Sequence, residues 1–259
     1  MTGNSKKHVI ELLSKDVRFD GRKALEYRKP LKVEYNISAN AEGSAQVTLG
    51  DTVVMAGVKL AVEKPYPDTP EAGLLMVNAE LTPLANPEFV LGPPDIDAIE
   101  LSRIVDRGIR ESKIIDMEAL CLEKGEKAWS VMIDVIPIND AGNLFDASAL
   151  AALAALKVTK FPKLEDGAVD YKQKTNKALP IDAKKETLSV TVFRIGKNFL
   201  VDPTIEEAAL ADARLTVATL ADGTLCALQK GGDYPLTSEE IDRMVSIGVE
   251  KGRELRKAL

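Results

Sequence analysis

MIDVIPINDAGNLFDASALAALAAL, residues 132–156, joins two segments of different periodicity. The first belongs to the run AWSVMIDVIPIND, which is apolar and rich in β-branched residues and reads as a strand. The second, continuing to LFDASALAALAALKV, is almost wholly apolar and dominated by alanine. That composition suits a buried helix packed closely on a sheet. Strand and buried helix in succession mean helices and sheet sharing a core, so the flanking sequence has to supply more strands.

Upstream it does. LKVEYNIS, GSAQVTLG and TVVMAGVKLAV alternate or run apolar for strand lengths, with turn residues at Ala41–Gly43 and Gly50–Asp51, and predict a three-stranded meander. KPYPDTPEAG is a Pro- and Gly-rich loop, after which LLMVNAELTPLA resumes as a strand. GPPD then opens a helix, IDAIELSRIVDRGIRESKIID, with Asp95 or Asp97 placed to cap it. Ahead of the meander, KKHVIELLSKD is a short amphipathic helix with Val9, Ile10, Leu12 and Leu13 apolar, followed by the charged turn RFDGRK. Downstream, ETLSVTVFRIG, NFLVD, ARLTVATL and TLCALQKGG are strands, with Ala221-Asp222-Gly223 as a hairpin turn. Thr237 and Glu240 form a capping box for the last helix. Strand groups followed by helices, twice over, predict an α+β architecture of two similar halves. The expected divisions are an N-terminal helix and arm (1–29), a first half (30–161), a polar, Lys-rich connecting segment (162–185), and a second half with the C-terminal helix (186–259).

Composition removes several classes of chemistry. The single histidine, His8, leaves no imidazole for a Ser-His-Asp, Cys-His or His-ligated metal centre. Cys121 and Cys226 lie far apart without CxxC spacing, so no metal site is expected and the thiols fit a reducing compartment. No run approaches the roughly 20 apolar residues that cross a bilayer, and the N-terminal stretch lacks a signal-peptide pattern. No membrane partner and a cytoplasmic location are therefore expected. The net charge of −6 repels nucleic acid overall, so any polyanion site must be local.

Five strings in one order, RFDGRK, EGSAQVTLGDTVVMAGV, IELSRIVDRGIRESKIID, MIDVIPINDAGNLFDASALAALAAL and VDPTIEEAALADARLTVA, resemble the ribonuclease PH family over most of the chain. The IELSR-VDRGIR helix and the NDAGNLFDA segment look most like the non-catalytic ring subunits of archaeal exosomes. The resemblance implies two β-α-β units of the ribosomal protein S5 domain 2 type and a six-membered ring shared with a catalytic homologue. It also implies RNA-binding cap proteins and single-stranded RNA as partners. Catalytic members shorten RNA from the 3′ end with inorganic phosphate as the attacking group. No cofactor is expected in this chain; the resemblance assigns phosphate to the catalytic partner and leaves room there for a divalent metal.

Phosphorolysis needs donors for phosphate and a group that neutralises developing charge. Active members of the family resemble one another in a Gly-Gly-Ser/Thr-Arg-Thr stretch opening a buried helix, and in two aspartates six apart in a DLNxEED segment. Here Leu144 falls at or beside the Arg position, and Asp202 is followed six residues later by Ala208. No catalytic residue is therefore assigned: Asp202 is a family remnant, and Leu144 and Ala208 are departures. The plainer reading of Asp202, before Pro203 and Thr204, is a turn or helix cap. Arg103, Arg107 and Arg110 share an arc of roughly 60° opposite Leu101, Ile104, Val105, Ile109 and Ile115. By composition this is a solvated face; the resemblance makes it an RNA-binding stripe leading to the partner's active site, where guanidinium forks suit phosphate oxygens. RFDGRK, with Arg18, Asp20, Gly21 and Arg22, is expected to fix the N-terminal arm against the sheet. Two other readings stay open: the chain is itself an active phosphate-dependent 3′-5′ exoribonuclease, or it forms an RNA-binding ring without an enzymatic partner.

Overall fold

A computed structural model describes residues 3–165 and 168–259. The chain begins with α1 (Gly3–Leu13). The meander follows as β1 (Leu31–Tyr35), β2 (Gly43–Leu49) and β3 (Thr52–Glu63), each pairing antiparallel with the next. β4 (Leu74–Ala79), the short β5 (Cys121–Glu123) and β6 (Lys127–Asn139) complete the first sheet, with α2 (Ile96–Ser112) between β4 and β5 in the chain. Its order is β1-β2-β3-β6-β4, with β5 also on β6 and a parallel pairing of β4 with β6. α3 (Leu144–Lys157) leads to the hairpin β7 (Lys160–Glu165) and β8 (Ala168–Ala178). The second half contains β9 (Leu188–Ile195), β10 (Asn198–Val201), the single turn α4 (Ile205–Ala208), β11 (Ala213–Thr219), β12 (Leu225–Gly231) and α5 (Ser238–Leu255). Its sheet is antiparallel in the order β10-β9-β11-β12.

The alanines of α3 have a geometric cause. The helix packs on β2 and β3 of one sheet and on β9 of the other, and every residue from Asp146 to Leu156 is buried. Only small side chains let two sheets approach one helix this closely. Leu150, Leu153 and Leu156 therefore share one core with Val54, Val58 and Ile133 of the first half and with Val190, Val192 and Val217 of the second.

The polar stretch 162–185, expected as a connecting segment, mostly folds as the β7–β8 hairpin, which pairs with neither larger sheet. It escapes an apolar-periodicity reading because β8 has almost no apolar face: from Tyr171 to Ala178 only Thr175 is not exposed. Of the two capping candidates for α2, Asp95 takes the role, its carboxylate accepting from the Ala98 N–H at 2.9 Å. The Thr237–Glu240 capping box forms as expected.

Candidate functional site

β6 delivers the chain to Asp140, and three residues turn it into α3. Gly142 has φ +103°, and a Cβ there would run into the carbonyl oxygen of Pro203, so only glycine fits between the start of α3 and the 203–205 segment. Asn143 is also left-handed, at φ 57°. This turn brings Leu144, the first residue of α3, into one cleft with Ala208, the last of α4. The cleft holds about 270 Å³. Its walls are apolar at Leu81, Phe89, Phe145 and Phe193, and acidic at Asp97, Glu100 and Asp140. Arg214 is the one cation among its lining residues; it is paired with Glu100 and stacked 5.0 Å from the centre of the Phe145 ring. A phosphate entering here would meet leucine, alanine and three carboxylates, with the single guanidinium already neutralised. Among the described residues no group of three or more His, Cys, Asp or Glu is arranged to hold a metal.

Asp202 is fully buried in the left-handed region at φ 49°. It does not cap the turn that follows it. Thr204 caps α4, in a reciprocal box with Glu207, because its hydroxyl is at the position that reaches the Glu207 N–H. The Asp202 carboxylate turns instead toward the N-terminal arm. It accepts from the Arg28 N–H at 2.7 Å, from Arg28 Nη2 at 2.7 Å, from Arg22 Nη1 at 3.0 Å and from Asn143 Nδ2 at 3.2 Å. The RFDGRK arginines complete the joint: Arg18 is buried, paired with Glu207 and bonded to the carbonyls of Val201 and Asp202. Arg22 is shared between Asp20 and Asp202.

One turn into α3, Asp146 is buried among three donors: Tyr27 Oη at 3.0 Å, the Thr191 N–H at 2.7 Å and Asn143 Nδ2 at 3.2 Å. Burial pushes its carboxyl up to about 7, against the pull of those donors, and burial also raises the Tyr27 hydroxyl well above its ordinary value.

The arginine stripe of α2 divides in two. Leu101, Ile104, Val105 and Ile109 face the core, and Ile115, also buried, lies beyond the helix end. Arg103, Arg107 and Arg110 are all exposed. Arg110, however, is committed: it grips Asp106 at 2.6 Å and donates to the Leu75 carbonyl of the edge strand β4 at 3.0 Å. Arg103 and Arg107 flank a depression with Val77 of β4 and have no ion pair among the described residues. They are the two guanidiniums of the stripe left to meet a ligand.

Residues 27–162 match the first domain of the 3′ exoribonuclease family, RNase PH, and residues 187–251 match its second domain. The chain belongs to the ribonuclease PH family. Among its relatives, the exosome complex component Rrp42 of Methanosarcina mazei is 43% identical over 97% of this chain and 91% of its own length. That of Archaeoglobus fulgidus is 45% identical over 96% and 93%. Two solved structures are similar throughout. One is the Archaeoglobus fulgidus exosome with RNA bound to the active site, with a TM-score of 0.89 and 44% identity over 98% of this chain and 97% of that one. The other is an archaeal exosome core, with a TM-score of 0.84 and 41% identity over 98% and 95%.

Within this ribonuclease PH fold the sequence reading located Leu144, Ala208 and the α2 arginines but missed Arg28, Asn143 and the Glu100–Arg214 pair. Arg28 and Asp202 are 174 positions apart and Glu100 and Arg214 are 114 apart. No local spacing announces such partners. The arm itself carried a faint signal in its cluster of arginines around RFDGRK.

Proposed function

We propose that the chain is a non-catalytic subunit of an archaeal exosome core ring in the cytoplasm. In this reading it alternates with a catalytic ribonuclease PH-like homologue, beneath RNA-binding cap proteins, in a complex that degrades RNA from the 3′ end by phosphorolysis. The similarity to exosome components supports the assembly. The observation that carries the non-catalytic role is the cleft at the start of α3. Leu144 and Ala208 stand together there, where active relatives need a phosphate donor and a second carboxylate, and the only lining cation is spent on Glu100. Phosphate, and any divalent metal, belong to the catalytic partner. The positive contribution of this chain is RNA binding through Arg103 and Arg107, with Arg110 acting mainly to hold the helix on the edge of the sheet.

The test is RNA binding across a salt series by rings assembled from this chain and its catalytic homologue. Arg103→Ala with Arg107→Ala should leave the ring assembled, weaken RNA binding, and reduce the slope of log K against log salt by about 1.4 for two lost phosphate contacts on a single strand. Arg110→Ala should leave that slope nearly unchanged and lower stability by about 1 kcal/mol through loss of the Asp106 pair and the Leu75 bond. Parallel salt lines for the double variant would return α2 to an ordinary solvated face.

A further inference from the structure

The β7–β8 hairpin answers to nothing described so far. It pairs only with itself; Phe161 of β7 anchors it in the core against the Trp129 ring, but the outer part of β8, from Tyr171 on, is almost wholly polar and adds little to folding. Its composition inverts that of the chain: residues 157–185 contain eight lysines, no arginine and four carboxylates, while the whole chain has a net charge of −6. Lys157, Lys163 and Lys185 are paired with Glu186, Glu165 and Asp182. Lys160, Lys172, Lys177 and Lys184 have no carboxylate partner among the described residues, and Lys174 reaches only the Ala41 carbonyl. Aromatic rings sit among these charges. Tyr171 is 48% exposed with the Lys59 ammonium 4.5 Å from its ring centre, and Lys177 lies 5.0 Å from that of Phe161.

Uncompensated ammonium groups beside an exposed ring are the combination that holds a single nucleic-acid strand without regard to sequence: cations for phosphates, a π-face for a base. Lysine rather than arginine fits this role, since a mobile point charge tracks a flexible backbone and imposes no bidentate geometry. The position is also informative. Leu144 of α3 lines the cleft and Lys157 ends the helix 13 residues on, so the hairpin starts about 20 Å from the cleft.

We propose that the β7–β8 hairpin is a second RNA-binding element, with Lys160, Lys172 and Lys177 contacting phosphates and Tyr171 offering a stacking face, at the end of α3 opposite the cleft. The proposal rests on RNA being the ligand of this chain, as argued under Proposed function. A strand bound here is held at a distance from the phosphates that Arg103 and Arg107 would meet.

The experiment is binding of single-stranded RNA to the full-length chain over a salt series, comparing wild type with Lys160→Gln, Lys172→Gln and Lys177→Gln combined, and with the three arginine replacements at the same positions. The glutamine variant should lower the slope of log K against log salt by about 2 and weaken binding at least about tenfold near 0.1 M salt, and the arginine variant should restore both. Equal affinity and parallel lines in a folded glutamine variant overturn the proposal, leaving the lysines as guards of an exposed strand edge or a dock for an acidic protein surface. A wild-type chain without measurable RNA affinity overturns the hairpin proposal, while the ring assay under Proposed function decides separately whether the RNA-binding function of Arg103 and Arg107 stands. Loss of affinity in the Arg103/Arg107 variant alone overturns the hairpin and leaves that function standing.

Discussion

At the scale of single residues, Asp202 is an anchor for the N-terminal arm. Its carboxylate has no solvent exposure, and each polar contact named above is a donor from the arm or from Asn143. A carboxylate so enclosed is in no position to meet a substrate, but it anchors two guanidinium groups that are themselves about nine-tenths buried. Asp202→Ala should therefore destabilise the fold by about 3 kcal/mol, because Arg28 would be left as a buried charge facing only the carbonyls of Ala141 and Gly142, and Arg22 would keep Asp20 as its only carboxylate. Denaturant unfolding of the variant checks this, and a loss below about 0.5 kcal/mol would mean that the joint is not structural. The acid itself was legible in VDPTIEEAAL, as was the alanine six positions on at Ala208. Its role was not, because capping is a local inference and the partners of Asp202 are brought to it only by the tertiary fold.

At the scale of elements, α3 shows which signals a sequence transmits well. An Ala-rich apolar run reads as a buried helix whatever covers it, and the capping box at Thr237 reads correctly because both partners lie within one turn. The β7–β8 hairpin is the opposite case, since strands without an apolar face leave no periodicity to detect. Burying α3 between two sheets also buries Asp146, whose carboxyl is pushed up to about 7 from 3.8. Between those values the folded chain holds a proton that the unfolded chain has released. The contribution of this group to stability is therefore complete below about pH 4 and is lost as pH rises through about 7. Between about pH 4 and about pH 7 the thermal midpoint should fall through this group and then level off, and Asp146→Asn, which has no proton to lose, should flatten that dependence while lowering stability overall. A midpoint that rises over this range and is insensitive to the substitution would contradict the assignment.

At the scale of the whole molecule, one core runs from the first sheet through α3 into the second, so the start of α3 and the end of α4, 64 positions apart in sequence, close one cleft. That cleft is lined by Leu144, Ala208 and three carboxylates, and its one guanidinium is paired with Glu100. Exposed cations lie outside it, on α2 and on the hairpin. In the proposed reading, a molecule built this way binds RNA for a neighbour and performs no chemistry alone. The most direct test is release of nucleoside diphosphates from a 3′ single-stranded RNA in phosphate buffer, measured for this chain alone and for the chain mixed with its catalytic homologue. The account predicts no release above background from the chain alone and sustained release from the mixture; phosphate-dependent shortening by the purified chain without any partner would contradict it.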